Sequence, residues 1–194
     1  MEQKKEQMRI RYAELTDLPQ IRLVYQYART FMANTGNPSQ WGNKFPLESQ
    51  IRKDIENRQF YVAETSKGIC GAFALIIGPD PTYAKIEDGQ WLSESEYGTI
   101  HRVAGNGTAR GVFEAVIRFC EQRIQHLRID THNDNKIMQH LIEKHGFSRR
   151  GIIYTANGSA RIGFEKLGTD SGIQQETDPG KRFVEWNPDI ETTS

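Results

Sequence analysis

The residues best suited to chemistry in this sequence surround a glycine-rich loop, residues 105–111 (GNGTARG). A strand-like run (residues 98–104, GTIHRVA) precedes the loop, and an amphipathic helical pattern follows it. A strand, a tight glycine turn and a helix together place unpaired backbone N–H groups at the positive end of a helix dipole, where phosphate binds well. The loop therefore predicts an anion site, with an ordinary strand-to-helix turn as the alternative.

The same loop also comes close to a dinucleotide-binding fingerprint. The letters GNGTAR nearly fit GxGxxG, and Asp130 ends the following strand about where a ribose-binding acid would lie. Against this, Arg110 replaces the third glycine, where a side chain obstructs the packing of the helix on the strand. Too few strand–helix units follow for a doubly wound sheet. A nicotinamide dinucleotide-binding protein is therefore the weaker alternative.

The rest of the chain predicts the elements that position this loop. Strand-like runs at residues 59–65 and 68–77 form a predicted hairpin, and an Asn157-Gly158 turn joins another. The predicted order is β-α-α-β-β-β-α-β-α-β-β, an α/β domain with a mixed sheet (α+β). After Leu167 the sequence becomes polar. We therefore expect one domain at residues 8–167 and a polar C-terminal tail at residues 168–194, with docking of that tail as the alternative.

Composition limits the partners. Lys plus Arg and Asp plus Glu number 25 each, so the net charge favours neither nucleic acid nor a membrane surface. Cys70 and Cys120 lie far apart without a CxxC pattern, as small core residues do in a reducing compartment. The first residues lack an apolar signal region, and no run approaches the roughly 20 apolar residues of a membrane span. We expect a soluble, cytoplasmic protein with no nucleic-acid or membrane partner.

Two longer segments, residues 99–119 (TIHRVAGNGTARGVFEAVIRF) and 127–147 (LRIDTHNDNKIMQHLIEKHGF), resemble the core of the GNAT (Gcn5-related) N-acetyltransferases. In that family a loop of the form Gln/Arg-x-x-Gly-x-Gly/Ala holds the CoA pyrophosphate on backbone amides. A later helix has the form Asn-x-x-Ala-x-x-Leu-Tyr-x-Lys-x-Gly-Phe. The positions with matching spacing here are Asn135, Met138, Leu141, Ile142, Lys144, Gly146 and Phe147. The loop here is shorter than in the family. Thr108 stands at the Gln/Arg position of the motif and Phe113 at its final Gly/Ala position, so the sequence resembles an atypical member.

The resemblance implies a fold, a co-substrate and a set of contacts. The fold is the acyl-CoA N-acyltransferase fold, a central mixed, mostly antiparallel sheet flanked by helices. The co-substrate is acetyl-CoA, without a metal. The implied CoA contacts are Arg102 and Val103 on the strand, Arg110, Gly111, Val112 and Phe113 around the pyrophosphate, and Asn135 at the later helix. Capping of that helix is the alternative role for Asn135. Trp41 and Trp91, in loops, would border the acceptor pocket.

One residue that the family uses for chemistry is missing. In much of the family a tyrosine two residues before the lysine of the helix signature protonates the leaving thiolate, and Ile142 stands there in this chain. The candidates to replace it are His101 on the cofactor strand and Tyr154 on the following strand, followed by His140 and His145. Strand alternation places His101 on the same face as Thr99 and Val103. The five histidines show no HxxxH pair or carboxylate triad, so we expect no metal.

We therefore predict an N-acetyltransferase that moves an acetyl group from acetyl-CoA to a primary amine. The acceptor, a small molecule or a peptide, stays open, and so does a homodimer. A catalytically silent acyl-CoA-binding module of the same fold is the main alternative, because the tyrosine is missing.

Overall fold

The computed structural model describes residues 8–168 and the strand at residues 183–186. The helices are α1 (Leu18–Asn34), α2 (Glu48–Glu56), α3 (Val112–Glu121) and α4 (Lys136–Lys144). The strands are β1 (Met8–Tyr12), β2 (Phe60–Thr65), β3 (Gly68–Ile77), β4 (Gly98–Gly105), β5 (His126–Thr131), β6 (Ser148–Tyr154), β7 (Ala160–Leu167) and β8 (Phe183–Trp186). The order of elements from β1 to β7 is the predicted one.

The described strands form one sheet in the order β6-β7-β5-β4-β3-β2-β1-β8. Neighbours pair antiparallel except β4 and β5, which are parallel because α3 connects them as a crossover. The predicted fold class, a mixed, mostly antiparallel sheet flanked by helices, is confirmed. Strand β8 lies in the segment predicted as a polar tail and pairs with β1. The other residues of that segment lie outside the described part of the chain.

A hydrophobic core covers each face of the sheet. On one face α3 packs over β1, β3, β4 and β5, and Phe73, Val116 and Leu127 are completely buried there. On the other face α1 and α2 cover β2, β3 and β4, with Ile21 and Val24 at the centre. The apolar side of α3 therefore packs on one face of the sheet, and the apolar sides of α1 and α2 pack on the other.

Strands β4 and β5 pair only at their beginnings. The paired residues run from Gly98 opposite Leu127 to Ile100 opposite Ile129. Because Ile100 and Ile129 both point into the α3-side core, the next residues, His101 and Asp130, point to the opposite face. We call this point, where the strands begin to separate, the apex.

A bulge in β4 follows the apex. Ala74 pairs with His101 and Ala72 with Ala104, so two residues of β4 oppose one residue of β3. Arg102 takes up the extra length with a φ of 57°. Strict alternation places His101 and Val103 on one face, but that expectation is wrong. Val103 packs against the α3-side core, and His101 lies opposite Ala74 on the α1 side.

Among the described residues, no helix is both long and apolar enough to cross a membrane. Both cysteines are buried and neither forms a disulfide.

Candidate functional site

The separation of β4 from β5 opens a cavity of about 920 Å³. One part of its wall, which we call the α3 half, comes from the loop after β4, the start of α3 and helix α4. It includes Gly111, Val112, Phe113, Asn135, Leu141 and His145. The other part, the α1 half, comes from the end of α1, the α1–α2 loop, the β3–β4 loop, β5 and β7. It includes Phe31, Gln40, Trp41, Phe45, Asp130 and Arg161.

Backbone groups dominate the α3 half. Gly111 is the N-cap of α3 in the left-handed conformation, with a φ of 76°. The first helical hydrogen bond runs from the Ala115 N–H to the Gly111 carbonyl, at 2.9 Å. The N–H groups of residues 112–114 therefore have no acceptor within the helix. At Gly107, a Cβ atom would lie 2.4 Å from the Tyr27 hydroxyl. Gly107 thus makes room for the Tyr27 side chain, and the free N–H groups at the start of α3 are the donors that a phosphate group requires.

Asn135 has two roles in the structure. Its Oδ1 accepts a hydrogen bond from the Met138 N–H at 3.1 Å, so it caps α4. Its Nδ2 donates to Gln40 Oε1 at 3.1 Å, and Gln40 belongs to the α1–α2 loop. The predicted capping role is therefore present, and Asn135 also lies in the cavity wall.

His101, predicted as a catalytic residue, lies at the apex and in the cavity wall. Its Nε2 is 2.7 Å from Asp80 Oδ2, and both side chains are largely buried. Burial by itself would raise the pKa of Asp80, but the hydrogen bonds from His101 and the Thr82 N–H prevail and lower it. Asp80 is therefore a carboxylate near neutral pH and can only accept, so in the neutral imidazole of His101 it is Nε2 that carries the proton and Nδ1 that has the lone pair.

Asp130 lies across the apex from His101. Tyr83 donates its hydroxyl proton to Asp130 Oδ1 at 2.6 Å, and the Tyr83 ring meets the His101 ring edge-on with centroids 5.9 Å apart. Burial raises the pKa of Tyr83 well above its usual value, and Asp130 raises it further. Tyr83 thus stays protonated and links the two apex residues.

Arg161 approaches Asp130 from β7. Its Nε lies 3.7 Å from Asp130 Oδ2, which is an ion pair but longer than a hydrogen bond. Its other nitrogens donate to Ser159 Oγ and to the carbonyls of Ala160 and Gln40. Arg161 therefore fixes the α1–α2 loop and the β6–β7 turn beside the apex.

Three predicted site residues lie outside the cavity wall. Tyr154 points away from the cavity because of its register in β6; it is 46% exposed, and the Glu87 carboxylate raises its pKa, which weakens it as an acid. Trp91 stacks on Tyr83, and its Nε1 donates a hydrogen bond to the Tyr83 carbonyl at 2.9 Å. It therefore contacts Tyr83 and does not border the cavity. Arg110 is exposed at the surface of the loop.

The remaining predicted CoA contacts, Arg102 and Val103, do line the cavity. The Arg102 side chain turns towards α2, however, and forms an ion pair with Asp54. Its carbonyl accepts a hydrogen bond from the Tyr25 hydroxyl at 2.6 Å. The bulge therefore commits Arg102 to the α1 side of the sheet.

The helix histidines and Ile142 differ in their surroundings. Ile142 is completely buried in the α3-side core. His145 lines the cavity and packs against Phe113, and burial lowers its pKa. His140 is exposed. Of these positions only His145 faces the cavity, and in its neutral form it is a poor acid.

Sequence reasoning missed Asp80, Tyr83 and Gln40, and considered Asp130 only as a ribose-binding acid. Asp80 does carry a local signal, since Asp-Pro predicts a turn, and Asp80 Oδ1 caps that turn through the Thr82 N–H at 2.8 Å. Nothing local indicates that the turn meets His101. Asp130 could have been found from its place at the end of a strand parallel to β4.

Comparison with known proteins identifies the family. The sequence matches the model of the Acetyltransferase (GNAT) family over residues 24–147. A GNAT-family acetyltransferase from Streptococcus agalactiae has 28% identity and a TM-score of 0.76, with 84% of this chain and 96% of that chain covered. One from Listeria monocytogenes has 21% identity and a TM-score of 0.61, with coverage of 81% and 93%. The ribosomal-protein-S18-alanine N-acetyltransferase from Escherichia coli has 14% identity and a TM-score of 0.53, with coverage of 85% and 96%. No curated protein matches the sequence.

The chain therefore belongs to the GNAT acetyltransferase family. It is a GNAT-type N-acetyltransferase, and enzymes of this class transfer an acyl group from acyl-CoA to an amine. The backbone donors and the glycines of the α3 half fit the phosphate groups of such a thioester.

Proposed function

We propose that this protein transfers the acetyl group of acetyl-CoA to a primary amine in the cytoplasm. The observation that carries the proposal is the apex, where His101 and Asp130 lie on separating strands in the wall of one cavity. The α3 half would hold the CoA phosphates, and the α1 half would hold the amine.

In the α3 half, the N–H groups of residues 112–114 would receive the pyrophosphate at the positive end of α3. Val103 lies in the part of β4 that does not pair with β5, and its main-chain groups would bind the pantetheine amides. Acetyl-CoA supplies a thioester carbonyl carbon that an amine can attack.

In the α1 half, His101 is the proposed base. Asp80 fixes its tautomer, so that Nδ1 is the nitrogen that can take a proton from the amine. When the N–C bond forms and the C–S bond breaks, the departing thiolate, with a reference pKa near 8.5, needs a proton. The imidazolium of His101 can return the proton that it took. This assignment closes the proton balance without a tyrosine at position 142.

The proposal is tested in two steps. In a thermal-shift measurement, a ligand at 100 times its dissociation constant stabilises the folded state by about 2.7 kcal/mol. We expect acetyl-CoA and CoA to raise the melting temperature and NADH to leave it unchanged. Thiol release from acetyl-CoA, measured over a panel of primary amines, then reports turnover. Stabilisation by NADH alone would contradict the proposal.

A second candidate is an acyl-CoA-binding protein without catalysis, and the buried Ile142 in place of the tyrosine favours it. It predicts the same thermal shift with CoA thioesters but no thiol release with any amine. The two candidates therefore differ in the second step alone.

A further inference from the structure

The α1 half has an apolar wall that the protein leaves uncovered. Phe31 lies in this wall and is 45% exposed, although it is a large aromatic side chain. Trp41 and Phe45, from the α1–α2 loop, lie in the same wall and are half-buried, next to Met32 and Pro46. Scattered exposed apolar residues are ordinary, but here they share one side of a cavity. A ligand with an apolar body would gain from covering them.

Charge in this half is concentrated at the apex. Of the charged residues in the cavity wall, Glu114 and Lys144 belong to α3 and α4. Arg102 is neutralised by Asp54. Among the described wall residues, Asp130 is therefore the carboxylate that faces the α1 half, with His101 and Arg161 as its basic neighbours.

Asp130 retains capacity to bind an ammonium group. One of its oxygens, Oδ1, accepts from Tyr83 at 2.6 Å, while Oδ2 lies 3.7 Å from Arg161 Nε, beyond hydrogen-bond distance. Arg161 donates three of its five N–H groups to the Ser159 hydroxyl and to two carbonyls. A carboxylate accepts about four hydrogen bonds. Oδ2 is thus available at the apex, on the same face as His101.

We propose that the acceptor is a monoamine with an apolar alkyl or aryl body, whose ammonium group binds Asp130 while the body covers Phe31, Trp41 and Phe45. This inference rests on the proposed acetyl transfer and specifies its substrate class. His101 Nδ1 takes one proton from the ammonium held on Asp130, and the neutral amine then attacks the thioester. As the N–C bond forms and the C–S bond breaks, the thiolate receives that proton from His101. The second proton that the nitrogen loses passes to the freed Nδ1 and then to solvent. A carboxylate next to the amine would meet the charge of Asp130, and the nearby Arg161 is already paired with Asp130 and hydrogen-bonded to the Ala160 and Gln40 carbonyls. A second ammonium group would be placed against the apolar wall without a partner.

Matched pairs of amines test the class. Initial rates of thiol release should give a kcat/KM about tenfold or more higher for 2-phenylethylamine than for phenylalanine, and for hexylamine than for 1,6-diaminohexane. Equal or reversed values within both pairs would overturn the proposed class while leaving the acetyl transfer intact. If acetyl-CoA stabilises the protein but no amine releases thiol, the acetyl transfer itself is refuted, and the substrate class with it.

The variant Asp130→Asn tests whether Asp130 binds the ammonium group of the substrate or has only a structural role. Asp130→Asn keeps an oxygen that can accept from Tyr83 but removes the charge, so the KM for 2-phenylethylamine should rise about tenfold or more. The KM for acetyl-CoA and the shift that acetyl-CoA produces in the melting temperature should stay as in the wild type. The matched control is Asp134→Asn, at an exposed aspartate in the connection that follows β5. A fall in kcat with an unchanged KM for the amine would overturn the anchoring role.

Discussion

The two halves of the cavity are built from different materials. The α3 half contains backbone N–H groups and glycines from one continuous stretch of chain, the loop after β4 and the start of α3, together with residues of α4. The α1 half is made of side chains from five separate segments, represented by Phe31, Gln40, Thr82, Asp130 and Arg161. Binding by backbone groups depends little on side-chain identity, so proteins with different sequences can bind the same ligand in this way. A surface of side chains can change its ligand by single substitutions.

This difference predicts that substitutions in the two halves change different kinetic constants. A change in the α3 half should move the KM for acetyl-CoA, and one in the α1 half should move the KM for the amine. His101, at the apex, is the proposed base, so a change there should move kcat. If substitutions in the two halves changed the same KM, the functional difference between the halves would be refuted.

The largest effect is expected at the apex. His101→Ala removes the proposed base and should lower kcat about 100-fold or more. The matched control is Tyr154→Phe, on the exposed side of β6, which should change kcat less than about twofold. Steady-state thiol release checks both. A normal kcat for His101→Ala together with a low one for Tyr154→Phe would show that the proton passes through Tyr154.

The α3 half is tested at the helix N-cap. Gly111 has a φ of 76°, a conformation that costs about 1–2 kcal/mol for other residues. In Gly111→Ala the loop relaxes and moves the N–H donors, so the KM for acetyl-CoA should rise about tenfold. The KM for the amine should not change.

Gly36→Ala provides the control for backbone strain. Gly36 has a φ of 89° and open space around its Cβ position, and it lies at the end of α1. Gly36→Ala should lower the free energy of unfolding by about as much as Gly111→Ala does, without an effect on the KM for acetyl-CoA. An equal rise in this KM in both variants would attribute the effect to general destabilisation.

The α1 half is tested at Gln40, where the expected effect is smaller. Gln40 Oε1 accepts from Asn37 at 2.8 Å, Asn135 at 3.1 Å and Thr131 at 3.4 Å, and so holds the loop that carries Trp41 and Phe45. In Gln40→Ala the KM for the amine should rise about threefold to tenfold. Gln26→Ala, an exposed glutamine of α1, is the control. A change in the KM for acetyl-CoA alone would mean that the Asn135 contact serves the other half.

The same difference explains how much could be predicted from the sequence. The order of strands and helices follows from local periodicity, and the proposed anion site at Gly111 follows from consecutive residues. The contact between Asp80 and His101 depends on where a long β3–β4 loop folds back, which no local pattern encodes. The orientation of Val103 was mispredicted because one bulge residue, Arg102, interrupts the alternation of β4. Tyr154 is directed outward by the pairing of β6 with β7.

The smallest effect concerns the stability that the Asp80–His101 contact provides at the apex. The pKa of Asp80 is lowered in the folded state from an ordinary value of 3.8. A carboxyl group with a lowered pKa stabilises the folded state above its unfolded pKa, and this contribution disappears as the pH falls through the folded value. Asp80→Asn should therefore melt roughly 2 °C below the wild type at pH 6, and the difference should shrink as the pH falls below 3.8. Melting curves across that range check it; a difference that does not shrink would assign the loss to packing of the β3–β4 loop instead of to charge.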